Sequence, residues 1–369
     1  MIKVQISSSI EAIRPNDWKT LMSHEIEDYH YLQAVEQAEL AGFSWIYIVA
    51  RRDDRTVGVL AGFSTRYDLA TTLDGFACRC IAGVRKFWAG AFYVNLASIG
   101  SPCTETAPLG LSDELSAHEK LDCLSAMVDA FEREALARKC NLLAVKDAAG
   151  AHGDSLRTVL SGRYCELKGQ PLAILDITFD SIETYFARLS YGARKDMRRK
   201  LRTRSGIRLE RRNDITDVID TIMNLYAETL ARADMQLEEL TANYFEGVLR
   251  CMPGRAQCVL YYHGDELLAA NLVIEDSGVL LDKFLCMKNF EGRKHNIYFL
   301  SWLTNVEYCL QKQITSYKTG QSGYSTKIRL GSRLEPTQMY FRHRNPAINL
   351  LLSALAPILS KELDEGALS

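Results

Sequence analysis

Hydrophobic spacing divides the chain into two similar runs. In the first, YHYLQAVEQAELAGF places Leu32, Val35 and Ala38 or Glu39 at helical intervals and stops at Gly42. WIYIVA then reads as a strand, ARRDDRT as a turn and VGVLAGF as the return strand. In the second run LTANYFEGVLRC is the helix, QCVLYY the strand, HGDE the turn and LLAANLVI the next strand. The likeness continues past the hairpins. Between Glu119 and Cys140 a stripe of Leu121, Leu124, Val128, Phe131 and Ala135 marks an amphipathic helix, with the buried strand NLLAVKDA behind it. Between Asn296 and Gln311, Leu300, Leu303 and Leu310 mark another, followed by the short strand ITSYKTG. The pattern predicts an α/β chain of two tandem domains, each a mixed, mostly antiparallel sheet flanked by helices. Turn residues in GRYCELKGQPL precede a new strand, LAILDITF, which puts the domains at 1–170 and 171–369. The first copy has a long insertion, Arg66 to His118, whose ASIGSPCTETAPLG reads as a loop.

Composition narrows the class. A length of 369 residues suits two cores better than one. With 47% hydrophobic and 24% charged residues the chain can fold throughout, and a net charge of −2 means that any basic surface is local. The ten cysteines show no CxxC and no zinc spacing, so buried cytosolic thiols and no metal are expected. MIKVQISSSI lacks the features of a signal peptide. The apolar stretch from Ala347 to Leu359 is interrupted by Pro357 and is short of a membrane span, so it reads as a terminal packing helix. A cytoplasmic protein without a membrane span is the expectation.

The generic catalytic signatures are missing: the sequence has no P-loop, GxGxxG, HExxH or GxSxG. Seven histidines are scattered, and His295, beside a helix start, reads as a surface histidine. The unusual segment is YGARKDMRRKLRTRSGIRLERR, with seven basic residues and one acid from Arg194 to Arg204. Ile182, Phe186, Leu189, Ala193, Met197 and Leu201 form a stripe, predicting one helix with a basic outer face. It is either a solvated face or a phosphate-binding surface through Arg194, Arg198 and Arg202. A second constellation, SYKTGQSGYSTKIRLGSRLEPTQMYF, presents Lys318, Lys327, Arg329 and Arg333 among Gly320, Gly323 and Gly331. It is either an exposed glycine-rich hairpin or a site for a phosphate-bearing ligand.

The repeated order of elements is similar to that of the GNAT acyltransferase fold. The basic helix, followed by GQSGYSTKIRLGSRLEP, resembles the Fem-type aminoacyl transferases and their FemAB-like relatives, and YHYLQAVEQAELAGFSWIYIVARRDDRTVGVLAGF resembles the opening of that family. The resemblance covers most of the chain. It implies two GNAT-type domains and metal-free transfer of an acyl or aminoacyl group to an amine acceptor. The donor would be aminoacyl-tRNA, acyl-CoA or an acyl-carrier protein thioester, with tRNA or a carrier protein as a partner and no tightly bound cofactor. MKNFEGRKHNIYF stands where GNAT enzymes carry a glycine-rich pyrophosphate turn. It has only Gly292, with Lys288, Arg293 and Lys294, so charge would replace a backbone cradle. By the resemblance Lys327, or a neighbour of it, matches the family's lysine after the glycines, and Arg194 and Arg198 match its basic helix. Lys327 would supply charge to donor phosphate or oxyanion, and Tyr298, Tyr324 and Asp282 are candidates for proton handling or positioning. Arg202, Lys318, Gly323 and Arg329 complete the donor or phosphate side. The competing class is a non-catalytic tandem scaffold that binds RNA or an anionic partner through the basic helix.

Overall fold

A computed structural model of the protein describes residues 2–23, 25–68, 93–232 and 237–354. The chain divides into two units. One runs to Gly169 and takes back the chain from Thr337, together with 237–239. The other begins at Gln170 and ends at Pro336.

In the first unit, β1 (Lys3–Ser7), α1 (Pro15–Leu21) and α2 (Tyr29–Gln37) precede the hairpin β2 (Phe43–Arg52) and β3 (Arg55–Asp68). The Asp28 carboxylate accepts from the His30 and Tyr31 N–H groups and so starts α2, which buries Leu32 and Val35. β4 (Tyr93–Ile99) and β5 (Leu109–Leu111) lie within the stretch expected to be a loop. Residues 69–92 of that stretch fall outside the described residues. The apolar runs VNLASI and LGL explain the difference, since each pairs with β3. α3 (Ala117–Ala137) is closed at its start by a Ser116–Glu119 capping box and buries Leu124, Val128, Phe131 and Ala135. It leads into β6 (Leu142–Ala148), parallel to β4, then α4 (Gly153–Leu160) and β7 (Cys165–Lys168).

The second unit holds β8 (Leu172–Asp176), α5 (Ile182–Arg188), α6 (Tyr191–Lys200), β9 (Arg208–Arg212), α7 (Ile219–Leu230) and α8 (Ala242–Cys251). The hairpin β10 (Ala256–His263) and β11 (Glu266–Asp276) follows, then β12 (Val279–Met287), α9 (Asn289–Lys294) and α10 (Ile297–Lys312). β13 (Ser316–Lys318), α11 (Tyr324–Arg329) and β14 (Arg333–Glu335) complete it. Its sheet runs β14-β8-β13-β12-β11-β10-β9, antiparallel except where β12 meets β13. Each unit therefore repeats one device: a hairpin, a third strand, a helix, and a strand parallel to the third. α10 covers the sheet with Leu300, Leu303, Val306 and Cys309 against Val259, Ala269, Val273 and Leu280.

Two expectations change. The basic segment is not one helix, because Leu189 is extended and Ser190 caps a new helix, leaving α5, α6 and a 3-10 turn over Leu201–Gly206. β15 (Gln338–His343), from the region assigned to the second domain, inserts between β6 and β7 of the first sheet. Within 347–359, residues to 354 are helical, with Leu352 packed and Leu350 and Leu351 exposed. The rest lies outside the described residues, as do Cys78 and Cys80. Among the described residues no helix is long and apolar enough to cross a membrane.

Candidate active site

The parallel ladder between β12 and β13 has three rungs, Val279 with Ser316, Leu280 with Tyr317 and Leu281 with Lys318. β13 then ends, while β12 continues along β11 to Met287. The two strands part at the first residue past the last rung, which is Asp282. A fork of this kind frees one edge of β12 and leaves room beside it at the carboxyl end of β13, where open sheets hold their ligands.

Asp282 is partly accessible at this fork, but its carboxylate is held from the inside. Oδ2 accepts from the Tyr317 hydroxyl at 2.8 Å and from the Asn305 amide at 3.3 Å, and the same amide donates to the Tyr317 oxygen at 2.9 Å. Burial pushes the Asp282 pKa up, while the Tyr317 hydrogen bond and the Lys327 charge pull the other way. Tyr298 stands two turns before Asn305, so both share one face of α10. Its hydroxyl is buried without a partner in the protein, and burial and the Asp282 charge push its pKa up, which keeps it a proton donor. Tyr317 and Asn305 were not singled out from the sequence. A signal was present: asparagine interrupts the apolar stripe of α10, and a buried polar residue is the informative exception.

Lys327 is 6% exposed and donates to the Gly320 carbonyl at 2.9 Å and to the Thr319 carbonyl. Its ammonium ties down the turn that leaves β13. The hydroxyl of Tyr324 donates to the Pro171 carbonyl at 2.9 Å. Gly323 starts α11 with φ +62°, a left-handed position that favours glycine. Lys318 is half-buried at the last rung, and Arg329 is exposed, 3.6 Å from Asp196. On the basic segment, Arg199 and Lys200 share Asp196 at 2.7 and 2.9 Å, and Arg204 forks onto Glu307 at 2.6 and 2.7 Å. Arg194, Arg198 and Arg202 have no carboxylate in ion-pair range among the described residues. His295 is half-buried where a surface histidine was expected. Its ring packs at a tilt against His263, with centroids 4.3 Å apart, and burial, then His263 and Lys294, lower its pKa.

The first unit has a matching fork past the last β4–β6 rung, with Gly100 on the β4 side. β4 and β6 pair from Leu96 with Leu142 to Ile99 with Val145, and the next residue, Lys146, is tied to the Asp147 carboxylate and to the Thr104 carbonyl at 3.0 Å. Behind β12 in the second unit, the Gly292, His295 and Asn296 N–H groups are used by carbonyls of Lys288, Glu291 and Arg293. That segment is a short helix, α9.

Residues 192–326 match the family model described as an acetyltransferase (GNAT) domain. Over those residues the second unit matches a GNAT-type domain. The likeness of fold extends over the tandem arrangement. The crystal structure of FemX is 13% identical with a TM-score of 0.58, covering 95% of this chain and 100% of that one. A tandem GNAT protein from the clavulanic acid biosynthesis pathway is 12% identical, with a TM-score of 0.56 and coverage of 94% and 99%. The C-terminal domain of a putative lysylphosphatidylglycerol synthetase from Agrobacterium fabrum is 10% identical, with a TM-score of 0.56 and coverage of 94% and 96%. No curated protein matches the sequence. The chain thus shares its fold with these proteins across both units.

Proposed function

We propose that the protein is an N-acyltransferase whose reaction takes place at the β12/β13 fork. The observation that carries this reading is the placing of Asp282, one residue beyond the last parallel rung and held by Tyr317 and Asn305. Acyl transfer to an amine needs a base for the N–H proton, a donor for the oxyanion and close positioning. Asp282 takes the proton as the amine attacks the acyl carbonyl, and its raised pKa makes it a stronger base than an exposed carboxylate. As the tetrahedral adduct collapses, the bond to the carrier breaks and that proton passes to the departing ribose oxygen or thiolate. Tyr298, kept protonated, donates to the oxygen on which charge develops. Lys327 fixes the turn beside the fork and lends positive charge there.

The activated donor is a phosphate-bearing carrier held by cationic side chains, Arg194, Arg198 and Arg202 with Lys318 and Arg329. Support comes from the three arginines left without acidic partners and from the α9 segment, where the Gly292, His295 and Asn296 N–H groups are taken by its own carbonyls and the Asn289 N–H by Glu228. Aminoacyl-tRNA suits this arrangement better than free acyl-CoA, and a carrier-protein thioester presents only one phosphate. Purified protein incubated with an amine panel and either aminoacyl-tRNA or acyl-CoA, with products read by mass spectrometry, tests the reading. Transfer abolished by ribonuclease supports the tRNA donor, and transfer from acyl-CoA alone overturns that choice. Salt-sensitive RNA binding with no transfer from any donor would favour the non-catalytic scaffold.

A further inference from the structure

Around Asp282 the second unit buries a group of polar atoms whose hydrogen bonding within the protein is incomplete. The Tyr298 hydroxyl and Asn305 Oδ1 are buried without a partner in the protein, and the Tyr261 hydroxyl, the Asn271 amide and Thr304 Oγ1 are buried with at most a weak hydrogen bond, Tyr261 to Thr304 and Asn271 to Asp282. Asn271 and Asn305 are 0% exposed, as is Tyr261. They come from β10, β11 and α10: the Asn271 and Asn305 amides hydrogen-bond to the Asp282 carboxylate, and the Asp282 charge acts on Tyr261 and Tyr298. Left dry, these atoms would cost a large share of a domain's net stability. Donors and acceptors are mixed, since an asparagine offers both, so the set suits neither a cation nor an anion. It suits water, which typically makes about three hydrogen bonds when buried.

We propose that Tyr261, Asn271, Tyr298, Thr304 and Asn305 enclose a water-binding chamber behind Asp282, and that ordered water there donates to the carboxylate. Asn271 is then a positioning residue for that water. The charged and titratable groups facing Asp282 are Tyr261 on β10, Tyr298 on α10, Tyr317 on β13 and Lys327 on α11. Water adds donors that favour the ionised form, so losing it should move the Asp282 titration upward.

The catalytic consequence rests on the proposed function, but the water does not. A high-resolution crystal structure should show ordered water bridging Asn271, Tyr261 and Asp282. Side chains repacked so that each polar atom meets a protein group, with no water, would overturn the proposal. Asn271→Leu, close in volume and unable to hold water, should raise the Asp282 titration midpoint by about one unit or more by carbon-13 NMR. Asn271→Ser, smaller and polar, should stay nearer the wild type, and identical midpoints in all three proteins would also overturn it. Bound water in a protein with no acyl transfer would sink the enzymatic reading and leave the chamber standing.

Discussion

Replacing Tyr317 by Phe removes one atom from the network around Asp282 and leaves the rest in place. The ring is fully buried against Trp302, with centroids 5.3 Å apart, so phenylalanine keeps the packing. What is lost is the hydroxyl that donates to Asp282 Oδ2 at 2.8 Å, leaving the Asn305 amide at 3.3 Å as the remaining donor from this pair. A hydrogen bond to a charged group is worth about 1.5–3 kcal/mol. Since 1.36 kcal/mol moves a pKa by one unit, the Asp282 titration should rise by roughly one to two units. Asp282 already titrates above its ordinary value, so the folded state binds its proton more tightly than the unfolded chain. The stability it lends is therefore present at acid pH and lost as pH rises through the folded pKa. The variant should lose about 1.5–3 kcal/mol at pH 8 and closer to 0.5–1.5 kcal/mol at acid pH, where a neutral hydrogen bond is at stake. Urea denaturation at both pH values measures this. An equal loss at the two, or none, would refute the charged network at the fork.

Lys327→Met strips two carbonyls of their donor and should cost about 2 kcal/mol or more, against less than about 0.5 kcal/mol for a surface lysine; denaturation of the two proteins decides. Tyr324→Phe should lose about 0.5–1.5 kcal/mol while turnover stays at the wild-type level, because its hydroxyl serves the Pro171 carbonyl; a turnover loss of tenfold or more would return it to the chemistry. His295 has a lowered pKa, so the unfolded chain takes its proton first and stability falls as pH drops below about 6.5. His295→Gln should remove that acid-side loss in thermal melts between pH 5 and 7. Replacing Arg194, Arg198 and Arg202 by Ala should flatten the salt dependence of RNA binding by roughly 0.7–0.9 in slope for each phosphate that is no longer neutralised. An unchanged slope in a filter-binding titration would return these arginines to a solvated face.

The two-copy order was legible because each element carries its own period: alternation or apolar runs for strands, a 3-4 stripe for helices. The third strand of the first copy was missed, since VNLASI lies in a stretch rich in turn residues and its partner β3 is far away in sequence. The break at Ser190 was hidden because the stripe from Ile182 to Leu201 keeps helical phase across it, while one N-cap side chain decides the geometry. At the fork, Asp282 was a candidate through its place near the expected cleft. Tyr317 and Asn305 were not, because their role depends on a parallel pairing that brings β13 and α10 onto β12. Tyr324 and Lys327 were readable as polar residues beside glycines, but their hydroxyl and ammonium partners are main-chain carbonyls, which leave no trace in side-chain patterns.

The account stands on Asp282 as the base at the fork, and Asp282→Asn tests it with little change of shape. The two proteins, each confirmed folded by circular dichroism, should be compared in single-turnover transfer from aminoacyl-tRNA to the amine that the wild type acylates. General-base catalysis contributes roughly 10²–10⁴-fold, so the variant should slow by at least about 100-fold, with binding of the RNA unchanged. Transfer at the wild-type rate by the Asn variant would contradict the account.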